Sequence, residues 1–108
     1  MIEFKKVLIQ LSNYTFRPGL KKYSAGQDKP GIGITTPYDG KPATVGNGTM
    51  VALQVESQKK VQSVYKKAIS LGAKDEGAPG PRGDSGFYAA YFRDLDGNKL
   101  NVFCFVKK

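Results

Sequence analysis

Few side chains in this sequence can do covalent or metal chemistry. No histidine occurs in its 108 residues, which removes imidazole ligation of a metal, Ser–His or Cys–His activation and imidazole acid–base catalysis. The one cysteine, Cys104, can neither close an internal disulfide nor build a thiolate zinc site, and it fits a reducing compartment. Asp94 and Asp96 look like paired carboxylates, but Asp94-Leu95-Asp96-Gly97-Asn98 is good turn chemistry, so capping accounts for them. What remains is recognition by hydrogen bonds, aromatic rings and cations. Lys and Arg number 17 against 9 Asp and Glu, a formal charge of +8 that favours anionic partners. The lysines fall in pairs spread over the chain (Lys5/Lys6, Lys21/Lys22, Lys59/Lys60, Lys66/Lys67, Lys107/Lys108). A nucleic-acid surface concentrates charge on one face or carries a known module, and neither is visible, so nucleic acid is not an expected partner.

The elements that must position such groups are legible from periodicity. Phe4, Val7, Leu8 and Leu11 recur at helical spacing, predicting an N-terminal helix that Asn13 and Arg17-Pro18-Gly19 would end; a strand over Lys6 to Leu11 is the rival. Tyr14 to Gly46 is Gly- and Pro-rich, with short extended pieces such as Gly31 to Thr36. Thr49 to Val55 alternates as a strand, with Val51, Leu53 and Val55 on one face. Ser57 caps a helix carrying Val61, Val64, Tyr65, Ala68 and Leu71 on one stripe, and Gly72 stops it. Gly77-Ala78-Pro79-Gly80-Pro81 reads as a loop or irregular strand. Phe87 to Arg93 and Lys99 to Val106 then form a hairpin about Asp96-Gly97. The second half is therefore a βαβββ unit. No residue-level repeat links it to the first half.

Four segments in order carry a resemblance: Pro37-Tyr38-Asp39-Gly40-Lys41-Pro42-Ala43-Thr44, Gly46-Asn47-Gly48-Thr49, Asp75 to Arg82, and Tyr88 to Leu100. Together they resemble the glyoxalase/bleomycin-resistance/extradiol-dioxygenase (vicinal oxygen chelate) superfamily. The resemblance implies an α+β fold of βαβββ units forming a curved mixed sheet with helices on its outer face. The chain is then a single glyoxalase-like domain, with residues 1–46 as an incomplete, N-terminally truncated first unit and 47–108 as a complete one. The superfamily's usual metal ligands, a His after Gly-Asn-Gly-Thr and a Glu in the last strand, fall at Met50 and Asn101. A thioether and a carboxamide are poor substitutes, so no metal and no cofactor are expected.

Strand parity then describes the cup. If Asn101 faces it, so do Phe103 and Phe105, while Leu100, Val102, Cys104 and Val106 face the helix. The hairpin sets Tyr91 opposite Asn101, and Met50, Ala52, Gln54, Phe87 and Ala89 join the cup. Met50, Gln54, Tyr91, Asn101 and Phe103 are the expected ligand-binding residues, among apolar walls. Arg82 follows a Pro-Gly as in one subgroup of the superfamily, where it would orient an anionic ligand or simply sit on the surface. The expected function is binding of a small molecule, a sequestered drug or metabolite, without the usual metal. A metal-dependent lyase, isomerase or dioxygenase is the alternative. No stretch is apolar enough to span a membrane and none reads as a signal peptide, so a cytoplasmic protein is expected. The unprotected edge of Thr49–Val55 further predicts a homodimer.

Overall fold

The computed structural model describes residues 12–17, 20–24 and 31–107. The N-terminal helix expected over Ile2 to Leu11, and its rival strand, lie outside the described residues. Contacts divide the chain near Thr44 and Val45 into two compact units.

In the first unit, β1 (Ser12–Arg17), β2 (Leu20–Ser24) and β3 (Gly31–Thr35) form an antiparallel sheet in that order. Asn13, expected to close a helix, instead pairs with Tyr23 inside β1. In SNYTFR only Tyr14 and Phe16 alternate with polar residues, too short a run to stand out, and LKKYS does not alternate. What identifies them as strands is mutual pairing, which periodicity does not register.

The second unit runs β4 (Val51–Gln54), α1 (Gln58–Ser70), β5 (Lys74–Pro81), β6 (Phe87–Arg93), β7 (Lys99–Phe105). Its sheet has the order β4-β7-β6-β5, with β4 parallel to β7 and the other pairs antiparallel. This is the βαβββ pattern read from the sequence, in an α+β mixed sheet. The stretch Gly77 to Pro81 belongs to β5, held to β6 through register shifts on both sides of Gly77. Those bulges let a Gly- and Pro-rich segment pair without regular alternation.

Helix α1 begins where Ser57, in extended conformation, accepts the Lys60 amide on its hydroxyl at 3.1 Å. It ends at Leu71, and Gly72 follows at φ +101°. Val61 and Ala68 on its inner stripe are fully buried. The helix packs on β5, β6 and β7. Against it lie Ala90, Phe92, Leu100, Val102 and Cys104, all buried. Tyr88 settles which face this is, because its hydroxyl accepts a hydrogen bond from the Gln62 side chain of α1 at 2.9 Å. Even-numbered residues of β6 and β7 face the helix, as parity predicted. No helix among the described residues is long and apolar enough to cross a membrane. Strand β4 lies at the edge of its sheet among the described residues.

Candidate functional site

The site lies on the sheet face turned away from α1. Its rows are set by the β6–β7 register: Phe87 opposite Phe105, Ala89 opposite Phe103, Tyr91 opposite Asn101, Arg93 opposite Lys99. Asp94 fixes that register. Its Oδ1 accepts the Asp96 and Asn98 amides at 2.9 Å each, and its Oδ2 accepts the Asn98 carboxamide at 3.0 Å. A buried carboxylate occupied by three turn donors is a cap, as the sequence implied. Strand β4 adds Ala52 beside Asn101 and Gln54 beside Phe103. Strand β5 contributes Gly77 opposite Tyr91 and Gly80 opposite Ala89.

One end of this face is aromatic. The rings of Phe87, Phe103 and Phe105 stand 5.3 to 5.9 Å apart in tilted and edge-on pairs, the spacing at which aromatic side chains attract. Phe105 nonetheless keeps 58% of its surface exposed.

The other end is cationic. The Arg82 guanidinium lies 5.5 Å and the Lys99 ammonium 5.7 Å from the centre of the Tyr91 ring, within the reach of cation–π attraction. Arg82, the residue after β5, is steered there by carbonyls of that strand, with Nη2 donating to Ala78 O at 2.7 Å and Nη1 to Pro81 O at 3.3 Å. The glycines make room. A Cβ on Gly77 would come within 3.1 Å of the Tyr91 ring and 3.3 Å of the guanidinium, and one on Gly80 within 3.1 Å of the guanidinium. Arg93 shares this face but is engaged, its Nε donating to Glu76 at 3.0 Å and its Nη1 to Gly97 O at 2.7 Å. Among the described residues no carboxylate is in ion-pair contact with Arg82 or Lys99.

The expected site residues sort unevenly. Tyr91, Asn101 and Phe103 are brought together in adjacent rows, with Gln54 exposed beside Phe103. Asn101 is 2% exposed and its Nδ2 donates to Ala90 O at 3.1 Å, so half of its carboxamide serves the scaffold. Met50 precedes β4 and is 44% exposed. These two occupy the positions where the resemblance implies metal ligands. Among the described residues no group of three or more His, Cys, Asp or Glu side chains is assembled. Cys104 is buried in a row facing the helix, away from this face. Sequence reasoning passed over Lys99, although its parity with Asn101 puts it on the same face.

No protein-family model and no curated protein matches the sequence. Solved structures do. A glyoxalase/bleomycin resistance protein from Albidiferax ferrireducens T118 matches over 96% of this chain and 86% of its own, at TM-score 0.81 and 29% identity. By fold, the chain belongs to the glyoxalase/bleomycin-resistance/dioxygenase superfamily. A superfamily enzyme from Burkholderia phytofirmans PsJN matches over 97% of this chain and 87% of its own, at TM-score 0.75 and 16% identity. The genomically encoded fosfomycin resistance protein of Listeria monocytogenes is also similar, at TM-score 0.66 and 18% identity over 97% of this chain and 81% of its own. The latter two likenesses speak to the fold alone.

Proposed function

We propose that this superfamily member binds a small organic molecule on the face of β4-β7-β6-β5 turned away from α1 and holds it without a metal, sequestering a drug or metabolite. The observation that carries the reading is the aromatic cluster of half-buried Phe87 and Phe103 and exposed Phe105, set beside hydrogen-bonding groups at Tyr91, Asn101 and Gln54. Aromatic walls with a few convergent polar groups are the common make-up of a small-molecule site. With Asn101 Nδ2 committed to Ala90 O, the amide's Oδ1 is the acceptor it offers a ligand. Similarity to a glyoxalase/bleomycin resistance protein supports a small ligand over a macromolecule. A metal-dependent lyase, isomerase or dioxygenase would have to work without any imidazole, since the chain has no histidine.

The test is a thermal-shift screen of metabolites and antibiotics, run with metal analysis of the purified protein. A ligand at about 100 times its Kd adds about 2.7 kcal/mol to the folded state, a rise of roughly 10 °C or more for a chain of this size. Stoichiometric zinc, nickel or iron would overturn the metal-free reading. Affinity for nucleic acid that persists at physiological salt would overturn the small-molecule reading.

A further inference from the structure

We infer that the ligand of this face is an amphipathic organic anion, its acidic head held by Arg82 and Lys99 beside Tyr91 and its apolar body laid along Phe103 and Phe87. The inference rests on the small-molecule reading above and names its ligand class. Among the described residues Arg93, Arg82 and Lys99 lie on the face turned away from α1, and they are treated differently. Arg93 is neutralised by Glu76 at 3.0 Å. Arg82 and Lys99 are half-buried, lie against one ring and have no carboxylate in contact among the described residues. Each charge lies within 5.7 Å of the same ring centre, so an acidic group bound beside Tyr91 is attracted by both.

Arg82 is also seated in advance. Its bonds to Ala78 O and Pro81 O use two of its five donors and fix the plane of the rest. Gly77 and Gly80 supply the space that any larger residue would fill. A guanidinium held rigid loses little entropy when it grips an acid, and its fork matches a carboxylate, sulfonate or phosphonate.

The apolar half follows from strand spacing. Phe103 stands one same-face row from Tyr91 and the Phe87–Phe105 row two, which is roughly 7 and 13 Å along the sheet. An aryl or fused-ring acid spans that distance. A bare inorganic anion would leave the rings unused, and a neutral aromatic would leave the cations unpaired.

The experiment compares two probes with one ring system on the full chain by fluorescence titration. 8-Anilinonaphthalene-1-sulfonate carries the acid and N-phenyl-1-naphthylamine lacks it. Both are expected to saturate one site per chain, the sulfonate at least about tenfold tighter, as charge-assisted hydrogen bonds give. That preference should shrink when salt rises from about 0.05 to about 0.5 M. Combining Arg82→Gln with Lys99→Gln should erase the preference while leaving the neutral probe within about twofold. If the double variant fails to fold, the preference of the unaltered protein and its loss in salt decide the matter. A sulfonate that binds no tighter than the neutral probe, or a preference that survives in the double variant, overturns the anion assignment and leaves the small-molecule reading standing. Failure of both probes to saturate the unaltered protein overturns both.

Discussion

The two faces of the β4-β7-β6-β5 sheet are drawn from alternate residues of the same strands and are built to opposite ends. On the helix side Ala90, Phe92, Leu100, Val102 and Cys104 are buried under Val61 and Ala68, with polar contact confined to the rim at Tyr88–Gln62 and Tyr65–Asp75. On the other side the rows alternate Phe, Ala, Tyr and Arg along β6, and Phe87, Tyr91 and Phe103 are half-buried while Phe105 is exposed. Such a face is too polar for a core and too aromatic for an ordinary surface. Period-2 alternation therefore sets the two faces apart, and on the face away from α1 the substitutions aimed at recognition fall at Phe87, Tyr91, Phe103 and Phe105, since Ala89 and Asn101 are themselves buried.

The largest effect that tests this separation is a pair of truncations. Phe92→Ala empties a fully buried site on the helix side and should cost about 3–5 kcal/mol in urea unfolding. Phe105→Ala, 58% exposed on the other face, should cost about 1 kcal/mol or less. Equal losses would break the comparison, because the face away from α1 would then be packed like the core.

A smaller effect belongs to the backbone that joins the faces. Gly86 sits at φ +91°, and a Cβ there would meet Val106 O at 2.5 Å, where the Val106 amide already donates to Gly86 O at 2.7 Å. Gly86→Ala should cost about 1–3 kcal/mol. Gly83→Ala is the control, since at φ +78° a Cβ meets nothing within 4 Å, leaving only about 1–2 kcal/mol of left-handed strain. A Gly83 variant as damaged as the Gly86 one would show that the Val106 contact contributes nothing.

The smallest effect sharpens the polar rim of the helix face. Partial burial pushes the Tyr65 phenol above its usual value of 10.0, and its hydrogen bond to the nearby Asp75 carboxylate at 2.9 Å adds to this. The unfolded chain then releases this proton first, so between the two values the folded state binds more protons and stability falls as pH rises. The contribution is fully present below about pH 10 and is lost as pH climbs through the raised folded value. From about pH 9 to pH 11 the protein should lose more stability than Tyr65→Phe, measured by urea midpoints. Parallel losses would remove Tyr65 from the account.

How much of this was legible in the sequence differs by element. The β6–β7 hairpin and its phase were readable because Asp-Gly fixes the turn and every helix-facing residue but Tyr88 is apolar or small; Tyr88 proves the phase by reaching Gln62. Strands β1 and β2 were not, since the two alternating aromatics of β1 are too short a trace, β2 has none, and their mutual pairing defines them. Strand β5 read as a loop because its bulges break alternation at Gly77. That same irregularity hid the site's cationic end, as only the folded β5 carries Arg82 back to Tyr91. Asn101 was found by position, but its anchoring to Ala90 O depends on a backbone carbonyl that no sequence pattern reveals.

The parallel pairing of β4 with β7 has a kinetic consequence. Leu100 lies 49 residues along the chain from its partner Val51 (100 − 51), with α1, β5 and β6 in between, whereas Arg93 and Lys99 meet across a five-residue turn, Asp94 to Asn98. Closing the short loop takes little entropy and is fast, and closing the long one rewards the chain only after the intervening elements are ordered. The hairpin is therefore expected to form early, and the four-residue β4 to be the last strand of this sheet to dock. Gln54 rides on β4 beside Phe103, so its place on this face is expected to be set later in folding than that of Tyr91.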